Sequence, residues 1–142
     1  MKKILIVNAN YYKNISSNLI ESAKKLLNSH KTQIDIINVP GVFEIPITIR
    51  KNIKKYQGFI ALGCVIKGET PHFNFISQAT FDAIIKISIE FNRPIGNGII
   101  TALNMNQAHA RSSSNNDSSK SNKGSEAANA VISVLNNEPK KA

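Results

Sequence analysis

The densest cluster of residue types able to do chemistry is Gly63-Cys64-Val65-Ile66-Lys67-Gly68-Glu69-Thr70-Pro71-His72. An apolar run ends at Cys64 and helical spacing begins at Phe75. The stretch therefore reads as a strand passing into a helix, with Thr70 as N-cap and Pro71 at the first helical position. Free backbone N–H groups and the positive end of the helix dipole meet at such a junction, which favours a phosphate or a carboxylate. His72 stands one residue further on, and an imidazole beside an anion suits general acid–base work near neutral pH. Each piece also has a plainer reading. Thr-Pro opens many helices, His72 can be a first-turn surface residue, and Glu44 after Pro40-Gly41 can simply favour a helix N-terminus. Tyr11-Tyr12 can be packing, and Arg111 an exposed last-turn cation. Their weight comes from convergence on one edge of a fold.

That edge follows from the order of elements. Residues 3–8 form a short β-branched run without helical spacing, which predicts a strand buried on both faces. Ile15, Leu19, Ile20, Ala23, Leu26 and Leu27 recur at helical steps, with Asn14 or Ser16 placed to cap. A second strand is predicted over 33–39, a helix over 43–55 with Pro46 in its first turn, and a third strand over 58–64. A long helix ends before Arg93-Pro94. Residues 95–101 make a fourth strand, 105–111 a short helix, and the last helix runs from about Lys123, fraying over 137–142. Four alternations of strand and helix describe one α/β domain over residues 1–142, its parallel sheet covered on both faces. The Ser/Asn-rich stretch 112–122 reads as a mobile surface loop. Ligands of such sheets bind at the carboxyl ends of the strands, here the segments 9–14, 39–44, 64–72 and 101–105.

Composition removes several function classes. Of 142 residues, 42% are hydrophobic and 19% charged, which excludes a disordered chain. The apolar stretches are far shorter than the roughly 20 residues of a membrane span, and no signal peptide precedes the first strand. The expected location is the cytoplasm. Cys64 is the single cysteine, so no internal disulfide exists, and a lone thiol beside a strand reads as a small buried hydrophobe. His30, His72 and His109 lack metal-site spacing, and there is no Walker loop, dinucleotide fingerprint or nucleophile elbow. Lys and Arg total 18 against 9 Asp and Glu, a net charge of +9. Fifteen of the cations are scattered Lys without interleaved aromatics, a poor nucleic-acid footprint. The surplus still steers small anionic substrates.

Three longer stretches carry a family resemblance. Ile6-Val7 through Tyr11-Tyr12 and the following Leu19-Ile20-Glu21-Ser22-Ala23 helix, then Val39-Pro40-Gly41-Val42-Phe43-Glu44-Ile45-Pro46, then 61–73, resemble the 6,7-dimethyl-8-ribityllumazine synthase family. Gly98-Ile99-Ile100-Thr101, Gln107-Ala108 and Asn122-Lys123-Gly124 continue it in order. The resemblance implies a flavodoxin-like three-layer α/β/α sandwich with a four-stranded parallel sheet. It also implies condensation of 5-amino-6-(D-ribitylamino)uracil with 3,4-dihydroxy-2-butanone 4-phosphate, without metal or organic cofactor, in homopentamers or multiples of them, with no nucleic acid and no membrane as partner.

Carried over by position, the resemblance assigns Tyr11 to stacking on the pyrimidine. It assigns Val42, Phe43 and Glu44 to the ribityl chain, and the backbone of Cys64, Val65 and Ile66 to the pyrimidine edge. Glu69 and Thr70 match the phosphate-binding turn and His72 the proton-transfer histidine. Arg111 matches the arginine that pairs with phosphate and Lys123 the lysine near the pyrimidine. Asn97 stands where many members carry Phe, and Asn97, Arg111 and Lys123 are expected to come from the neighbouring subunit. The N-terminal segment that in many members reaches the neighbour's sheet is lacking before the first strand, which bears on the larger shell more than on the pentamer; the expectation is a pentamer or a multiple of pentamers. The other classes weighed are a shell protein that has lost activity and a basic nucleic-acid binder; joint retention of Phe43, Glu44, Thr70, His72, Arg111 and Lys123 speaks for the enzyme.

Overall fold

The first strand, β1 (Lys3–Ala9), is buried from Ile4 to Ala9, and its side chains part between two cores. Ile4 and Ile6 join one cluster, Leu5 and Val7 the other, as alternation along a strand requires. The computed structural model describes residues 1–113 and 122–142. Three further strands, β2 (Gln33–Val39), β3 (Gly58–Ile66) and β4 (Ile95–Ala102), complete one sheet in the order β2-β1-β3-β4. All pairings are parallel, so all four strands end on the same edge. This is the flavodoxin-like order, and its topological switch lies between β1 and β3.

Helix α1 (Lys13–Asn28) places Ile15, Leu19, Ala23 and Leu27 against the first face, together with α4 (Met105–Ser112) and α5 (Lys123–Asn136). Helices α2 (Ile45–Lys51) and α3 (His72–Phe91) cover the second face through Ile45, Ile49 and Ile84. The three-layer sandwich expected from the sequence is thus the architecture found. Helix α5 comes unusually close to its neighbours. A β-carbon on Gly124 would collide with the Leu19 carbonyl of α1, and one on Gly96 with the Ala127 carbonyl of α5. Lys2 Nζ donates to Leu135 O at 2.9 Å, tying the start of the chain to an orphan carbonyl at the end of α5.

Several local expectations are corrected. Neither Asn14 nor Ser16 caps α1; its N-cap is Tyr12, and buried Ser16 Oγ instead donates to Ala9 O at 2.9 Å. The helix expected over 43–55 is a 3-10 turn at Val42–Glu44 followed by α2. Pro46 has no N–H to continue the ladder backwards, and Asn52 ends α2 with its Nδ2 on Thr48 O at 2.8 Å. Helix α3 starts at His72, one residue later than predicted. Of the loop expected at 112–122, residues 114–121 lie outside the described residues. Its ends are not loop: Ser112 closes α4 with its side chain buried, and buried Asn122 caps α5. Residues 137–142 are exposed and carry no helix or strand.

Candidate functional site

The carboxyl edge of the sheet is built around a step between neighbouring strands. Pairing of β1 with β3 stops at Asn8↔Leu62, whereas β3 continues along β4 as far as Ile66↔Ala102. Cys64, Val65 and Ile66 therefore overhang β1, and their backbone groups on that side have no strand partner among the described residues. Such N–H and C=O groups are obligatory hydrogen-bonding groups awaiting an acceptor or donor, and a flat heterocycle with amide edges meets that need.

The walls of the step come from the turns after β1 and β2. Asn10 N–H donates to Val39 O at 3.1 Å, knitting the two turns together. Val42 is buried, its Cγ1 2.8 Å from where a β-carbon on Gly63 would stand and beside Ala9. Phe43 and Tyr11 are exposed aromatics, 62% and 74% accessible. Tyr11 meets Tyr12 edge to face at 4.9 Å between centroids. Tyr12 packs on the first core, so the edge-to-face contact supports Tyr11 from a fixed ring. Half-buried Glu44 folds its Oε1 over Gly41, and Glu44 N–H donates to Gly41 O at 3.2 Å.

At the far side of the overhang the chain passes through exposed Glu69 and Thr70 into α3. His72 N–H donates to Thr70 Oγ1 at 3.4 Å. Thr70 thus meets an orphan donor of the first turn although Pro71 holds the formal N-cap position. Asn74 N–H turns back onto Pro71 O at 3.0 Å, so the junction offers chiefly the positive end of the helix dipole, one residue along from where the sequence places it. The His72 side chain is exposed at this junction. Buried Cys64 lies under the step, and burial pushes its thiol up to about 11. It is neutral at physiological pH and a poor nucleophile.

Tyr11, Val42, Phe43, Glu44, Cys64, Val65, Ile66, Glu69, Thr70 and His72 thus share one edge, but the other three candidates do not join them. Asn97 pairs with Ala61, five residues before Ile66, which puts it roughly 16 Å back along the strand at about 3.3 Å per residue. Asn97 is exposed on an edge strand, and its Oδ1 accepts the Ile99 N–H at 3.1 Å. Lys123 lies beside the next residue, its carbonyl 3.1 Å from where a β-carbon on Gly98 would stand. Its Nζ is 3.4 Å from Glu126 Oε1. Half-buried Arg111 is in the last turn of α4. Asn97 and Lys123 thus stand back along β4, on opposite faces of it because Gly98 faces Lys123 and side chains alternate, and with Arg111 on α4 they make up the remaining group of candidates.

The family model for 6,7-dimethyl-8-ribityllumazine synthase matches residues 1–138. The chain belongs to this family. Curated relatives of that name include one from Bartonella henselae, 40% identical over 136 residues, covering 93% of this chain and 85% of the relative. One from Zymomonas mobilis is 37% identical over 138 residues and covers 96% of each, and one from Afipia carboxidovorans is 37% identical over 140 residues, covering 94% and 83%. Members of the family are enzymes, and no group of three His, Cys, Asp or Glu among the described residues is arranged to hold a metal ion. No helix among them is long and apolar enough to cross a membrane.

One residue escaped the sequence reading of the site. Asn122 falls within the stretch 112–122 whose composition reads as loop, yet its side chain makes four hydrogen bonds between the elements that carry Arg111 and Lys123. The available signal was its type, since Asn immediately before an Ala-rich helical pattern is a strong N-cap.

Proposed function

We propose that this protein is a 6,7-dimethyl-8-ribityllumazine synthase acting in riboflavin biosynthesis. It would condense 5-amino-6-(D-ribitylamino)uracil with 3,4-dihydroxy-2-butanone 4-phosphate and release phosphate and water. The observation that carries the reading is the overhang of Cys64–Ile66 beside the turn 42–44 and the N-terminus of α3, in a chain of this family. A pyrimidine edge fits the unpaired backbone of β3, with Tyr11 against its face and Val42, Phe43 and Glu44 along the ribityl chain. A phosphate fits the junction at Glu69 and Thr70.

The nucleophile is the amine of the uracil itself, so the protein needs no Ser or Cys nucleophile, in keeping with the neutral thiol of Cys64. Catalysis rests first on holding the amine against the ketone, which converts a two-body encounter into an internal step. Schiff-base formation, loss of phosphate and ring closure each move a proton, and His72 at the phosphate junction is the carrier, worth about 100- to 10,000-fold. The α3 N-terminus and Arg111 offset the charge of the departing phosphate.

The second group of residues completes the site from a neighbouring copy. Asn97, roughly 16 Å from the carboxyl edge at 3.3 Å per residue, is too far to serve its own step. A homopentamer, or a multiple of it, brings one subunit's Asn97, Arg111 and Lys123 to the next one's step. Exposed Ile47 on α2 and Phe75, Ile85 and Ile89 on α3 support such burial. The assembly works in the cytoplasm, where both substrates are soluble metabolites.

The test is to mix both substrates with purified protein, follow product fluorescence and phosphate release, and measure particle mass by light scattering. A homopentamer or its multiple that turns over both substrates is expected. Failure to consume either substrate refutes the reaction, and a fully active monomer refutes the shared site.

A further inference from the structure

The Asn122 side chain joins the end of α4 to the start of α5. Asn122 Oδ1 accepts from Gly124 N–H at 2.7 Å and Ser125 N–H at 3.2 Å, capping α5. Its Nδ2 donates to Ser112 O at 2.8 Å and Ser113 O at 3.2 Å, where α4 ends. A side-chain amide has two N–H donors and two lone pairs on oxygen. All four are used here, in a residue that is only 9% accessible. Capping alone would need only the oxygen, as Ser or Asp supplies it. The nitrogen side of the amide does something else: it fixes the last carbonyls of α4 relative to the first turn of α5.

Arg111 is one residue before this junction and Lys123 one residue after it. Both helices pack on the same face of the sheet beside α1, in one core cluster. Gly124 presses α5 onto the Leu19 carbonyl of α1, and α4 is seated by buried Ala108, while Ser112 Oγ donates to Ala108 O at 3.0 Å within α4's own last turn. To this apolar packing Asn122 adds directional hydrogen bonds between the end of α4 and the start of α5, which fix the spacing of the two cations. We propose that Asn122 is a positioning residue that clamps α4 to α5 and so sets Arg111 and Lys123 to grip the phosphate and the pyrimidine together, while touching neither substrate. The inference rests on the synthase reading for what the two cations hold.

Asn122→Asp separates clamp from cap. A carboxylate caps a helix as well as an amide does and is favoured by the dipole, but it cannot donate, and it faces two carbonyl oxygens. Asn122→Ser keeps a capping hydroxyl and has no nitrogen. With the assembled full-length protein, KM for each substrate and kcat are measured for both variants, for Arg111→Ala and Lys123→Ala, and for Asn122→Asp in the Arg111→Ala background. Thermal unfolding is followed alongside. The clamp predicts that both Asn122 variants raise KM for both substrates, by roughly tenfold to a hundredfold, the scale on which a displacement of about 1 Å is felt. It predicts kcat at saturation little changed. In the Arg111→Ala background, Asn122→Asp adds no further loss for the phosphate substrate, because its effect there runs through Arg111. If both cation variants raise KM while both Asn122 variants match wild type, the clamp is overturned and the synthase reading stands. Fully additive losses overturn it equally. If neither cation variant alters either KM, the assignment of the two cations falls and the clamp falls with it.

Discussion

Replacing Gly96 with Ala drives a methyl group into the backbone of α5. A β-carbon there stands 2.8 Å from the Ala127 carbonyl carbon, still nearer its oxygen, and 3.0 Å from Val131 Cγ2. Ordinary van der Waals contact begins at 3.4 Å, so α5 must withdraw by at least about 0.6 Å, the shortfall at the carbon, and by more to clear the nearer oxygen. A radial gap of about 0.5–1 Å forfeits a quarter to a half of a dispersion contact. The helix is rigid, so the loss is felt along its buried face of Ala127, Ala128, Val131 and Ile132. Overpacking of this kind costs typically about 1–3 kcal/mol, and backbone rather than a flexible side chain is displaced, which sets the expectation near 2 kcal/mol. With an m-value of about 2 kcal/mol/M in urea, the unfolding midpoint falls by about 1 M, compared at equal protein concentration because assembly is linked to stability. Gly68→Ala is the control. No atom lies within 4 Å of its β-carbon and no glycine has a positive φ, so stability should hold or rise by about 0.4–1 kcal/mol through the unfolded chain. A Gly96→Ala midpoint that matches Gly68→Ala would refute the close seating of α5 on β4.

Three further outcomes are expected. His72→Ala should lower kcat by about 100- to 10,000-fold with a modest change in either KM, and steady-state kinetics on both substrates would expose an unaltered kcat. Cys64 in the folded protein should resist iodoacetamide at pH 8 and label fast in urea, since its thiol is pushed up to about 11 by burial. The corresponding contribution to stability is fully present below about pH 9, the ordinary thiol value, and is lost as pH rises through about 11. Rapid native labelling at pH 8 would contradict this. Lys2→Met removes the cation at the C-terminus of α5 and should cost about 0.3–1 kcal/mol, diminishing in high salt; a loss that is unchanged in salt would point away from the Lys2 Nζ to Leu135 O contact.

The strands were legible because their patterns are local. Gln33–Val39 is found at the bounds its β-branched run predicts, and β1 is buried on both faces as its unbroken apolar run requires. What was not legible depended on partners. β3 extends to Ile66, where Val65 and Ile66 pair with Thr101 and Ala102; both are β-branched strand formers, but the partner strand decides that pairing runs past Cys64. Ser16 looked like a cap by type but lies inside the first turn, where its hydroxyl reaches back to Ala9. At the site, the anion-favouring junction before α3 was readable from Thr70-Pro71-His72. The separation of Asn97, Arg111 and Lys123 from it follows from register and from the path of α5. Asn122 was hidden because two of its four bonds cross nine or ten residues of chain.

Lys2 and Leu135 meet at the edge where the strands begin, opposite the edge where they end. Both extremities of the folded unit therefore leave from the edge opposite the subunit's own step. A purification handle, a fluorescent reporter or a grafted antigen fused at either extremity would project away from the overhang of Cys64–Ile66 on the same subunit.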